Sequence, residues 1–268
     1  TLRFNTTGYS QAAFGDRALT ANTTGILNSA FGSASLISNT TGNYNVALGA
    51  NALNSNTTGS NNTAQGYQAL QANTTASNNT AVGYQAGYSN TTGRITAIGA
   101  NVLYANTTGG ENVGVGGETN NANAALKSNT TGTGNTAVGN YALQANTTGS
   151  YNPALSKDAL ASNTTASNNT AVGYQALILN TTGTQNVALG VYALASNTIA
   201  SSNVAVGYQA LYTSNRTADT DTRNTALGHQ AGYSVTTGQY NVFVGSGAGN
   251  VGNATTTGSN NIIVGVSS

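Results

Sequence analysis

A period of seventeen residues runs through this chain and leaves it few ways to fold. Taking the Asn of "NTTG" as position 1, copies begin at Asn5, Asn22, Asn39, Asn56, Asn73 and Asn90, each 17 residues after the last. The series then loses one residue at "GRITAIG" and resumes at Asn106; residues 117–128 stand where six are expected, and Asn129 restarts it. Asn146, Asn163, Asn180 and Asn197 follow in steps of 17, and stretched copies begin at Asn215, Val235 and Thr255. Fifteen copies fill essentially the whole chain, so residues 1–268 are expected to form a single repeat array, with irregular insertions at 117–128 and 215–223.

The consensus is N-T-T-G-x-x-N-T-A-V-G-Y-Q-A-L-x-x. Position 7 is Asn in thirteen copies, from Asn28 to Asn261, and position 9 is nearly always Ala. Position 10 is Val, Leu, Ile or Phe except at Gln65, and position 11 is Gly except at Ser156. Seventeen residues are too few for a two-helix repeat, and Gly, Asn and Thr at fixed places oppose helix. "NTAVG" reads as a strand of about four or five residues. "NTTG" reads as a turn, because Asn and Gly tolerate positive φ. "YQAL" reads as a second short strand or an extended corner. Two strands and two turns make one coil, and the chain is expected to be all-β: a parallel β-solenoid, or β-roll, of about fifteen 17-residue coils. At about 4.8 Å per coil the array would be roughly 70 Å long.

Alternation along "TAVG" sends positions 9 and 11 to one face and positions 8 and 10 to the other. The first face is Ala and Gly; the second is Val, Leu or Phe beside Thr or Val. A thin coil has one interior, so one face must find another cover: the coil's other wall, or an identical chain around a symmetry axis. Asn at position 7 is placed to form a hydrogen-bonded ladder along the stack. Tyr67, Tyr84, Tyr174 and Tyr208 at position 12, with His229 in the same place, predict an interrupted aromatic row.

Composition excludes several functions. Charged residues are 5% of the chain, against about 25% in ordinary domains, and the net charge is +1. No basic field exists to hold nucleic acid. No apolar run approaches the roughly 20 residues a membrane helix needs, so no membrane insertion is expected. Absent Cys rules out disulfides and thiolate metal sites. The chain has no Met, even at its start, "TLRFNTTG" is no signal peptide, and neither end resembles a cap. A segment of a longer fibre is the expectation.

Candidate chemistry is sparse. His229 substitutes for Tyr in a stack. The acids Asp16, Glu111, Glu118, Asp158, Asp219 and Asp221 are mostly scattered in variable places and nothing converges, so neither an enzyme nor a cofactor is expected. Asp219 and Asp221, in "NRTADTDTRN", offer oxygens suited to Ca²⁺, but a solvated loop is the simpler reading. Gly247 to Gly252, "GAGNVG", matches a dinucleotide-binding glycine pattern but lacks the helix and the downstream acid that chemistry needs.

The feature with most chemistry is "NTT", an N-glycosylation acceptor. It recurs at Asn5, Asn22, Asn39, Asn56, Asn73, Asn90, Asn106, Asn129, Asn146, Asn163 and Asn180, and Asn215 and Asn253 also fit. Asn61, Asn78 and Asn168 add a second acceptor through "NNT". Turn geometry alone accounts for Asn in these places, since Asn and Thr side chains bond their own backbone in tight turns. A row of glycans would hydrate a β-prone surface with little charge and open end coils.

The "NTAVGYQA" core resembles the repeats of trimeric autotransporter adhesin heads, which share an N-x-A-x-G-x-x-A pattern. The 17-residue "NTTG" form resembles repeats of tail-fibre-like proteins. The resemblance implies a left-handed parallel β-roll and association of three chains. The adhesin repeats are shorter, and this chain shows no stalk heptads, membrane anchor or chaperone domain. Repeat and resemblance together lead to an extracellular structural fibre or adhesin shaft, at a cell or virion surface. Its expected partners are copies of itself, as a homotrimer or filament, covalent glycans, and a carbohydrate or cell surface. A homotrimeric viral tail-fibre shaft is the alternative, and an ice-binding solenoid with Thr rows a minor one.

Overall fold

A computed structural model describes residues 1–117, 123–215, 221–250 and 257–266. The chain divides into two compact units, Thr1–Gly134 and Asn135–Ser268. The first holds strands β1 (Ala12–Phe14), β2 (Ser29–Phe31), β3 (Val46–Leu48), β4 (Thr63–Gln65), β5 (Thr80–Val82), β6 (Ile95–Ile98) and β7 (Asn112–Val115). The second holds β8 (Thr136–Val138), β9 (Pro153–Leu155), β10 (Thr170–Val172), β11 (Val187–Leu189), β12 (Val204–Val206), β13 (Thr225–Leu227), β14 (Val242–Val244) and β15 (Ile262–Val264). Within each unit every strand pairs in parallel with its sequence neighbours, Ala47 opposite Ala64 and Ala64 opposite Ala81. The fold is therefore an all-β parallel β-solenoid with one strand per coil.

Each strand covers positions 8 to 10 and is mostly three residues long, shorter than the four or five expected. A parallel pair needs a crossover of a dozen or more residues, and here the rest of the coil provides it. "YQAL" is not a second strand. Gln68 and Leu70 have φ of 57° and 52°, and the same two positions repeat this in Gln175 and Leu177 at 58° and 51°. Left-handed residues two apart curl the chain tightly. Its backbone groups bond along the stack instead: Gln68 N–H donates to Ala50 O of the preceding coil, and Leu70 N–H to Ala86 O of the next. Leucine carries no propensity for this conformation; the stacked hydrogen bonds hold it there.

The curl turns positions 14 and 15 inward against position 9. Ala64, Ala69 and Leu70 are fully buried, as are Ala171, Ala176 and Leu177. The Ala face of the strand is thus covered by the coil's own opposite wall. The interior is so narrow that side-chain changes are matched. Gly87 replaces the position-15 Leu, and the space it leaves is taken by Ile95, whose Cδ1 would lie 2.8 Å from a Cβ on Gly87. Gly114 replaces the position-9 Ala where Val102 replaces the facing Ala at position 14.

Candidate functional surface

The "NTT" asparagines face inward. Asn22, Asn39, Asn56, Asn73, Asn90, Asn106, Asn129, Asn146, Asn163 and Asn180 are fully buried. Asn56 shows the arrangement: its Nδ2 donates to Oδ1 of Asn39 one coil back at 2.8 Å and to Gly59 O of its own turn at 2.9 Å. Asn163 repeats it with Asn146 at 2.8 Å and Ala166 O at 3.1 Å. Both N–H bonds of each amide are used in the interior. The surface exposure expected of a glycan acceptor is not found at these ten positions, where a sugar on Nδ2 would have to occupy the core. The expected position-7 ladder is also present: Asn62 N–H donates to Asn45 Oδ1 at 3.0 Å, and Asn62 Nδ2 to Ala76 O at 2.9 Å. Each regular coil therefore carries two internal amide ladders where one was foreseen.

The remaining candidate acceptors differ. Asn61, Asn78 and Asn168 are exposed, at the left-handed residue just before the strand, with φ of 58° to 63°. Asn5 and Asn215 are exposed at turns, Asn5 Nδ2 donating to Gly8 O and Asn215 Oδ1 accepting from the Thr198 hydroxyl at 2.7 Å. Asn253 lies outside the described residues, as do Glu118, Asp219 and Arg216. The paired threonines split in role. Thr57 Oγ1 donates to Thr74 O at 3.1 Å, while the following residue, Thr58, is exposed.

The second face of the strand is open. Positions 8 and 10 point away from the core. In the first unit the position-10 column runs Phe14, Phe31, Leu48, Gln65, Val82 and Ile98; in the second it includes Val138, Leu155, Val172, Leu189 and Leu227. Phe14 is 68% and Leu227 50% exposed. Gln65 stands in this open column, so its polarity meets water and breaks no core.

Aromatic rings stack along the coils. Tyr67 and Tyr84 at position 12 lie 5.7 Å apart, 15° from parallel, and Tyr208 and His229 5.3 Å apart at 14°. The expected row is present, with its ring faces turned toward one another. A second column, at position 16, was not anticipated: Tyr88 and Tyr104 lie 5.0 Å apart at 5°, Tyr212 and Tyr233 5.2 Å apart at 4°. The signal was present as tyrosines one coil apart. Tyr192 breaks the pattern, standing edge-on to Tyr174, Tyr208 and Tyr212; withdrawal from water, and then these neighbours, raise its phenol pKa.

Among the described residues the charged groups form scattered pairs. Asp16 and Arg17 pair on the surface, as do Arg94 and Glu111 at 2.7 Å. A notch of about 190 Å³ lies beside Arg94 and Glu111. Lys157 lies about 6 Å from the rings of Tyr141 and Tyr174. Asp221 accepts from Arg223 Nη2 at 2.5 Å. Among the described residues no three His, Cys, Asp or Glu gather to hold a metal ion, and no helix is long and apolar enough to cross a membrane. No protein-family model, curated protein or solved structure matches the chain.

Proposed function

We propose that this chain is the shaft of an extracellular structural fibre or adhesin, non-enzymatic, which associates with copies of itself through the open strand face. The observation that supports the reading is the uncovered position-10 column. A soluble surface column of Val, Leu, Ile and Phe, repeated coil after coil, is costly to leave in water. An identical chain offers an apolar group at the same spacing in every coil but that of Gln65, so two or three copies bury their columns in register without any further matching. About 25 cal/mol is gained per Å² of apolar surface removed from water, and a long column multiplies that gain.

Multi-angle light scattering tests this. A trimer is expected for both the adhesin and the tail-fibre forms of the shaft, and higher mass that grows with concentration for a filament. The triple variant Leu155→Lys, Val172→Lys, Leu189→Lys points three charges out of the column and is expected to give a folded monomer. A wild-type chain that stays monomeric at high concentration overturns the reading. Any glycan on the shaft would sit at the exposed acceptors, where a sugar has room. In a secretory host, mapped peptides should carry sugar at Asn61, Asn78 or Asn168 and none at Asn56, Asn73 or Asn163.

A further inference from the structure

The geometry points to the stacked tyrosine pairs, Tyr88 with Tyr104 and Tyr212 with Tyr233, as oxidative cross-linking sites that covalently staple neighbouring coils. Three observations carry this. The rings are parallel within 5° and their centroids are 5.0 and 5.2 Å apart, so each pair is held as a stack with the two phenols side by side. The pairs are half-buried, neither sealed in the core nor free to swing away. The chain has 14 Tyr and no Cys, Met or Trp. Thiols, thioethers and indoles are the side chains that normally intercept oxidants first. Here an oxidising equivalent delivered to the chain settles on tyrosine.

The co-reactant is hydrogen peroxide used by a haem peroxidase. Each phenol loses one electron and one proton, giving two neighbouring phenoxyl radicals. These couple through the carbons ortho to their oxygens, forming one C–C bond. The hydrogens on those carbons shift to the oxygens as the rings regain aromaticity. Two hydrogens leave the protein, and one peroxide becomes two waters. The link joins residues one coil apart, the same connection a disulfide would make in a chain that had cysteine. Tyr174 and Tyr192, 78° from parallel, present an edge to a face and lack this stacking.

Trypsin reads the outcome directly. Arg94 lies between Tyr88 and Tyr104, and Arg216 and Arg223 lie between Tyr212 and Tyr233, so cleavage separates the partners of each pair. Folded protein is treated with a haem peroxidase and peroxide. Material of single-chain mass is then recovered under denaturing conditions and digested. The fragment ending at Arg94 should be joined to the fragment 95–127, whose one tyrosine is Tyr104, with loss of two hydrogens and the fluorescence of dityrosine. Tyr104→Phe should abolish that product and leave the Tyr212–Tyr233 link intact. The linked protein should melt at a higher temperature. No joined fragments from folded protein, or an equal yield from chain unfolded in denaturant, overturns the assignment.

Discussion

Phe243 occupies the space that a side chain on Gly232 would fill: a Cβ there would lie 2.9 Å from Phe243 Cδ2. Phe243 stands at position 9, where most other coils have Ala, and Gly232 at position 15, where most have Leu. Phe243 is fully buried, and Gly249, at position 15 of its own coil, makes room on the other side. A departure that reads as drift in the sequence is a size exchange in the core. Gly232→Leu alone should overpack and cost about 1–3 kcal/mol, and Phe243→Ala alone about 3–5 kcal/mol. The double variant restores the consensus pair and should recover much of the loss. Denaturant melts of all four proteins give the coupling energy.

Asn56→Ala should destabilise the solenoid although the residue reads as a turn asparagine. It strips a partner from Asn39 Oδ1, Asn73 Nδ2 and Gly59 O, all inside the coil. Gly59 O keeps its bond from Asn45 Nδ2, while Asn39 Oδ1 and one Asn73 N–H are left unsatisfied, at about 1–3 kcal/mol for each buried group. Thr58→Ala, two residues on but exposed, should change stability by less than about 0.5 kcal/mol. Because a solenoid opens locally, hydrogen exchange at the Asn39 and Asn73 coils is the direct readout.

Ser156→Gly should stabilise the protein. Ser156 has φ of 130°, a conformation the array otherwise gives to glycine at this position, and relieving it is worth about 1–3 kcal/mol. Gly173→Ala at the next coil runs the other way, since its Cβ would come 2.6 Å from the carbonyl of Gly190 and the φ of +133° is retained. Thermal melting of the two variants should move in opposite directions.

Acid should weaken one part of the second unit. A hydrogen bond from Ser202 and then the Arg223 guanidinium hold the Asp221 carboxyl below its ordinary value of 3.8. The folded pKa lies below the unfolded one, so the contribution is complete above the unfolded value. It fades as pH falls from about 4 through the folded pKa. Asp221→Asn should flatten that acid limb by removing the contribution at neutral pH, lowering the melting temperature slightly near pH 7 and leaving it little changed in acid, which melts across a pH series will show.

The sequence by itself determined the period, and with it parallel pairing of neighbouring coils, the equal-position register and the internal ladder at position 7; that each coil holds one strand and not two was decided by the structure. A regular repeat with Ala and Gly alternating against Val and Leu has no other simple way to satisfy its backbone. The sequence also separated the two strand faces by alternation, and the structure decided which of them is open. Tertiary structure alone decided the direction of the turn asparagines. Considered one coil at a time, Asn is a polar turn residue and belongs outside. In the stack, each amide meets a copy of itself one coil away and a carbonyl of its own turn, so burial leaves neither N–H unpaired. The same holds for Leu70, left-handed against its propensity because bonds to adjacent coils and burial of its side chain outweigh the local cost. Both results depend on a neighbouring copy that no single repeat contains, and only the assembled stack supplies it.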